Sequence, residues 1–112
     1  MDCLFCKIAG GEIPAKTLFE DEQAIALLDI RPQAPTHLLI VPRKHIASLA
    51  SAEETDVALL GHLLHLANTI ATEHKLVRGY RIVINTGQDG GQTVNHLHVH
   101  LLGGRAMEWP PG

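Results

Sequence analysis

"NHLHVHLL", residues 95–102, decides how this chain is read. His96, His98 and His100 alternate with Leu97, Val99 and Leu101. In extended backbone, successive side chains point to opposite faces. The pattern predicts a strand with three imidazoles on one side and three apolar residues packed into a core on the other. A strand that simply shows three histidines to solvent is the plain alternative. The segment just upstream weighs against it. "NTGQDGGQT", residues 85–93, is a glycine-rich loop. Gly87, Gly90 and Gly91 let the backbone turn tightly and approach a ligand closely, and successive amides in such a turn make an anion-binding nest. Asn85, Gln92 and Thr93 add neutral donors. No Lys-Ser/Thr pair follows the glycines as in a Walker loop, and no G-x-G-x-x-G opens a helix. Loop and histidines together predict a phosphate cradle beside a nucleophile.

Working outward, "YRIVINT" reads as a strand before the loop, and "GGRAMEWPPG" as an irregular tail. "SAEETDVALLGHLLHLANTIATEHKL" is the clearest helix. Ser51 and Glu54 are placed for a capping box, with Glu53 and Asp56 at the favourable end of the helix dipole. Val57, Leu60, Leu63, Leu64, Ala67, Ile70 and Ala71 recur at helical spacing, and Gly79 is expected to end the helix after Lys75 and Arg78. His62, His65 and His74 belong to this helix or its end and read as surface or interface residues. Nearer the N-terminus, "HLLIVPRKH" predicts a buried strand stopped by Pro42, and "RPQAPT" a loop, because its prolines cannot sit in a central strand. "KTLFED" and "QAIALLDI" read as short strands around an acidic turn. "FCKIAGGEIP" reads as one or two helical turns ending in a loop. Strands before and after one long helix suggest an antiparallel α+β sandwich.

A chain of 112 residues is expected to be one domain, residues 1–112. Its formal net charge of −3 argues against binding a nucleic-acid backbone or a polybasic mode of membrane binding. No stretch approaches the roughly 20 apolar residues of a membrane span, and "MDCLFCKI" lacks the basic and apolar regions of a signal peptide. The expected location is the cytoplasm. There a disulfide between Cys3 and Cys6 is disfavoured, and metal binding or redox work is favoured.

The pattern His-φ-His-φ-His-φ-φ, from His96 to Leu102, resembles the signature of the histidine triad (HIT) superfamily. "EIPAK", "DIRPQAPTHLLIVPRKHI", "GYRIVIN", "GGQTVNHLHVHLLGGR" and the terminal "WPPG" resemble its Hint branch, so the likeness spans nearly the whole chain. It implies a five-stranded antiparallel sheet with one long and one short helix. It implies a homodimer that hydrolyses purine nucleoside phosphoramidates or acyl-nucleotides and releases AMP or GMP. His98 would be the nucleophile, its tautomer fixed by a hydrogen bond to a backbone carbonyl, and a nucleotidyl-histidine would form. His100 would contact phosphate or the leaving group, and His37 would support the cluster, with His96 as the remaining triad member. Asn85, Gly91, Gln92 and Thr93 would contact phosphate; Thr93 stands where relatives commonly carry Ser. Asp29 would take the ribose hydroxyls. Phe5, Ile8, Ile13, Leu27 and Ile30 would hold the base, although each alone reads more readily as core. Trp109 would reach towards the partner subunit's site. A diadenosine polyphosphate hydrolase of the Fhit branch is the second reading, and a regulatory nucleotide-binding module the third.

Cys3, Cys6, His45 and His96 form a Cys₂His₂ set suited to tetrahedral Zn²⁺. Several bacterial HIT proteins carry the same set as a structural zinc site, and no organic cofactor is expected. Two free thiols or a C-x-x-C redox pair remain as alternatives. His96 would then serve twice, binding zinc through its ring and orienting His98 through its carbonyl.

Overall fold

The computed structural model describes residues 3–112. Helix α1 spans Leu4–Ala9. Strands β1 (Thr17–Glu20), β2 (Ala24–Leu28) and β3 (Thr36–Pro42) follow, then the long helix α2 (Val57–Glu73), β4 (Tyr80–Val83) and β5 (Val99–Gly103). The five strands form one sheet in the order β1-β2-β3-β5-β4, and every pairing is antiparallel. The α+β class with one long and one short helix is therefore as read from the sequence.

The sheet has an apolar layer on each face, and this explains the near-continuous apolar runs of β2 and β3. Ala24, Ala26, Leu38, Ile40, Val99 and Leu101 meet Leu63, Leu66, Ala67, Ile70 and Ala71 of α2. On the other face Ile25, Leu27 and Val41 pack with Cys3 and Phe5 from the N-terminal segment. Because side chains alternate along a strand, His37 of β3 and His100 of β5 fall on this second face.

Four expectations need correction. The helix does not start at a Ser51/Glu54 box. Residues Leu49–Ser51 and Glu54–Asp56 are 3₁₀ turns, and the box is formed by Glu53 and Asp56. Asp56 is buried and also receives the Lys44 ammonium at 2.5 Å, so a tertiary ion pair selects between two overlapping capping patterns. The helix ends at Glu73, capped by His74. The chain then leaves through Lys75 at φ 57° and Gly79 at φ 112°. Val57 and Leu64, counted on the apolar stripe, are exposed.

The fourth correction concerns the histidine segment, where the ladder begins only at Val99. The amide of Leu97 bonds the Ile46 carbonyl at 2.7 Å, away from β3. Leu97, Val99 and Leu101 do enter the core as alternation requires. His96, however, sits in a bend before the strand and is fully buried.

Candidate active site and metal centre

His98 is turned by its own backbone. Its Nδ1 lies 2.7 Å from the His96 carbonyl oxygen. A carbonyl can only accept, so Nδ1 carries the proton and Nε2 presents a lone pair. His98 is buried, yet no buried side-chain nitrogen or oxygen among the described residues lacks a partner. Nε2, which bonds nothing in the chain, is therefore the edge that solvent reaches. The Phe5 ring lies against His98 with centroids 5.2 Å apart, and the His100 ring stands at the same distance. The result is an imidazole whose orientation is held and whose free nitrogen faces outward.

His100 Nδ1 lies 2.9 Å from His37 Nε2. Burial, reinforced by the neighbouring His98 and His37, pushes His100 down to about 4. Burial also lowers His37, against the opposing pull of Asp29. Both rings are neutral near pH 7. Asp29 Oδ2 stands 3.4 Å from His37 Nε2, while Oδ1 accepts the Arg31 amide at 2.8 Å.

His96 belongs to a different cluster. Its Nε2 donates to the Pro42 carbonyl at 2.8 Å, which leaves Nδ1 bare. That nitrogen lies 3.3 Å from Cys3 Sγ, 3.5 Å from Cys6 Sγ and 3.1 Å from His45 Nδ1. Cys6 Sγ is 3.3 Å from His45 Nδ1, and all four donor atoms lie within 4.8 Å of one another. Ligands at zinc's usual bond lengths stand about 3.3–3.8 Å apart at the corners of a tetrahedron, so the set is close to that geometry. The thiols are not bridged. Burial, with Cys3 beside it, pushes the Cys6 thiol up, and a divalent cation would reverse that preference. A redox pair has no use for two imidazole nitrogens turned onto the sulfurs. The four residues form a closed site of the structural zinc type, without an open position for substrate.

With this geometry in place, comparison with known proteins is decisive. A family model described as the HIT domain matches residues 10–107. The chain belongs to the HIT family. A crystal structure of a HIT family hydrolase from Legionella pneumophila Philadelphia 1 superposes with a TM-score of 0.97 at 55% identity, covering 99% of this chain and all of that one. A HIT-like protein of Synechococcus elongatus is 53% identical over 99% of this chain and 97% of its own length. A 14 kDa zinc-binding protein of Zea mays is 51% identical over 97% of this chain and 87% of its own.

The remaining residues of this HIT chain fall into three groups. Phe5 and Leu27 are buried in the second apolar layer and Ile8 packs on it, whereas Ile13 is half-buried and Ile30 is 92% exposed. In the glycine loop, Gly91 and Gln92 use their amides on the Gln88 and Gly87 carbonyls. The Gln92 side chain is occupied too, by Ala47, Val94 and Gly87. The expected nest of successive amides is thus not free at these two positions, and Asn85 and Thr93 are the donors left open. Trp109 is 83% exposed, on a tail whose Glu108 carbonyl is held by Arg81 at 2.8 Å. A cavity of about 470 Å³ lies elsewhere, between Lys75–Gly79 and Gly104–Ala106, and no expected site residue lines it. The Pro42 and His96 carbonyls and the Gln33 amide orient the histidines. The His96 carbonyl is the one expected from the family resemblance, whereas the Pro42 carbonyl and the Gln33 amide could not be singled out, because any residue carries these groups.

Proposed function

We propose that this HIT protein is a purine nucleoside phosphoramidase of the Hint type, a hydrolase acting at the α-phosphorus. The observation that carries the reading is the 2.7 Å bond from His98 Nδ1 to the His96 carbonyl, which leaves Nε2 free as a nucleophile. In the first step Nε2 bonds to phosphorus as the bond from phosphorus to the leaving nitrogen breaks. The electron pair leaves with the amine, which takes a proton supplied from solvent. His98 keeps its Nδ1 proton, so the nucleotidyl-imidazolium is cationic and is stabilised by the carbonyl. Water then attacks phosphorus as the bond from phosphorus to Nε2 breaks and its electron pair returns to Nε2; the water gives up a proton to solvent, and AMP or GMP leaves a neutral His98. Acyl-nucleotides would follow the same course.

His100 and His37 assist at the phosphate, together with Asn85 and Thr93 on the loop that Gly91 and Gln92 brace from within. Asp29 takes the ribose. The apolar surface of Phe5, Ile8, Ile13, Leu27 and Ile30 takes the base, favouring purines by area without reading their edges. The zinc centre holds the His96 segment, and with it the carbonyl that orients His98.

Strand β4 is a sheet edge next to exposed Tyr80 and Leu64, which suits a homodimer of cytoplasmic single-domain chains. Trp109 on its exposed tail would then lie towards the partner's site. Sedimentation should give twice the 12.2 kDa chain mass.

The test is rapid quenching with adenosine phosphoramidate, followed by mass spectrometry of the digested chain. An adenylyl group on His98 is expected, with higher kcat/KM than for a diadenosine polyphosphate. Turnover with no adduct at His98 would exclude the mechanism. Preference for the diadenosine substrate would move the protein to the Fhit type, and AMP binding without turnover would make it a binding module.

A further inference from the structure

We propose that Arg105, in the segment after β5, is a positioning residue: through the main chain of Gln33 it fixes which nitrogen of His37, and hence of His100, carries the proton. The proposal rests on the reading of His98 as nucleophile.

The chain of contacts starts in the tail. Arg105 Nε donates to the Gln33 carbonyl at 2.9 Å, and its Nη1 to the Ala106 carbonyl at 3.1 Å, which holds the guanidinium. The Gln33 side chain donates to the Arg31 carbonyl at 3.0 Å. Gln33 is so held on its carbonyl side, and across its Cα the N–H of the Pro32–Gln33 peptide is donated to His37 Nδ1 at 3.0 Å. An amide nitrogen has only a proton to offer, so Nδ1 is bare and the neutral ring carries its proton on Nε2. That N–H faces His100 Nδ1 at 2.9 Å, with Asp29 Oδ2 at 3.4 Å. His100 Nδ1 is therefore an acceptor, and the His100 proton sits on Nε2.

Neighbouring His98 has the opposite tautomer. One ring offers a lone pair to phosphorus; the other offers an N–H to a phosphoryl oxygen or the leaving nitrogen. Two lone pairs side by side would repel the phosphate's oxygens, and two N–H groups would leave no nucleophile. The same logic reads the Asp29, His37 and His100 cluster, whose donor atoms lie within 4.8 Å of one another. A metal there would need His37 Nε2 bare while Nδ1 already accepts a peptide N–H. That is an imidazolate, so a shared proton occupies the gap more cheaply than a cation.

Removing Arg105 releases the Gln33 carbonyl, and rotation about the Gln33 backbone then lets the neighbouring N–H tilt away from His37. His37 can then take its proton on Nδ1, and His100 loses the donor that kept its own Nδ1 bare. Substrate binding changes little, but the N–H aimed at the phosphate is present only part of the time.

The test uses the zinc-loaded full chain with ¹⁵N-labelled histidines, read by long-range ¹H–¹⁵N NMR. The unmodified protein is expected to show Nε2–H at His37 and His100, and Nδ1–H at His98. In Arg105→Ala, His37 and His100 should show averaging between tautomers while His98 does not. With adenosine phosphoramidate, kcat should fall about tenfold with KM within about twofold, the usual scale for losing an outer hydrogen-bond partner. Arg105→Lys, whose ammonium can reach the same carbonyl, should recover most of both. If Arg105→Ala does not fold, Gln33→Pro, which deletes the amide proton itself, takes its place with the same expectation. Nδ1–H at His100 in the unmodified chain, or His37 and His100 signals that the variant leaves untouched, would overturn the proposal. Tautomers as assigned in a protein that fails to turn over phosphoramidate would refute the nucleophile reading and leave the proton placement standing.

Discussion

A single imidazole, His98, carries the proposed chemistry, and the His96 carbonyl orients it. Replacing it with Ala removes the nucleophile and leaves the fold, because the ring packs on Phe5 and bonds only a carbonyl. Steady-state assay should show a loss of about a thousandfold or more, with AMP affinity kept. His100 gives a prediction about pH. Burial, then the charges of His98 and His37, hold it down to about 4, below an ordinary value of 6.5. Above 6.5 the folded and unfolded chains both hold it neutral, so it changes nothing there. As pH falls from about 6.5 to about 4 the unfolded chain takes up a proton that the folded chain refuses, and stability drops. The shift corresponds to at most about 3 kcal/mol from this ring. Urea titrations at pH 7 and pH 4.5 should differ by less in His100→Gln than in the unmodified chain. An equal difference in both would mean that other groups carry the acid sensitivity. His98 and His100 could be named from spacing, and the carbonyl on His98 was expected from the resemblance, but the tautomer of His100 could not be read, since it follows from the Gln33 amide.

The glycine loop and the two helix ends show how elements settle what local patterns leave open. A Cβ at Gly90 would fall on the Thr86 main chain, only 2.8 Å from its nitrogen. Backbone does not give way as a flexible side chain does. Gly90→Ala should therefore displace the loop that leads to Thr93, and lower kcat/KM by about tenfold or more while the thermal midpoint moves by only a few degrees. A crystal structure of the variant with the loop unmoved would count against this. The start of α2 was legible only to within a few residues. The sequence holds Ser51-x-x-Glu54 and Glu53-x-x-Asp56, both with capping spacing, and Lys44 from another segment selects the second. The strand over 96–102 was read three residues too early for a similar reason. His96 is bent into the metal centre, and the Pro42 carbonyl bonds its ring rather than a strand amide.

For the molecule as a whole, the metal centre joins pieces that the sheet does not. Cys3 and Cys6 belong to the N-terminal segment, His45 to the loop after β3, and His96 to the bend before β5. Removing zinc should uncouple all three. A site filled at a hundred times its dissociation constant contributes about 2.7 kcal/mol, so chelation should cost at least about that much in denaturant titrations, and readdition should restore it. Activity should fall as well, because the carbonyl that orients His98 belongs to a ligand residue. Stability and turnover unchanged on complete metal removal would leave the centre without a structural part. Cys3→Ser should repeat the effect of chelation.

The sequence by itself determined the period of every main element, the apolar layer under α2 and the identities of the histidines and cysteines. These follow from local alternation and from residue types that few chemistries use. It also resembled the right family, because several separated motifs had to agree in one order. The double use of His96, ring to metal and carbonyl to His98, was expected from the resemblance; only the tertiary structure decided that the Pro42 carbonyl fixes the His96 ring. It also decided that Gly91 and Gln92 bond within their own loop, and that Arg105 reaches His37 through the Gln33 main chain. Those outcomes depend on main-chain atoms and on contacts between residues far apart in the chain. Every residue offers the same amide and carbonyl, so no pattern of side chains announces which of them will be used.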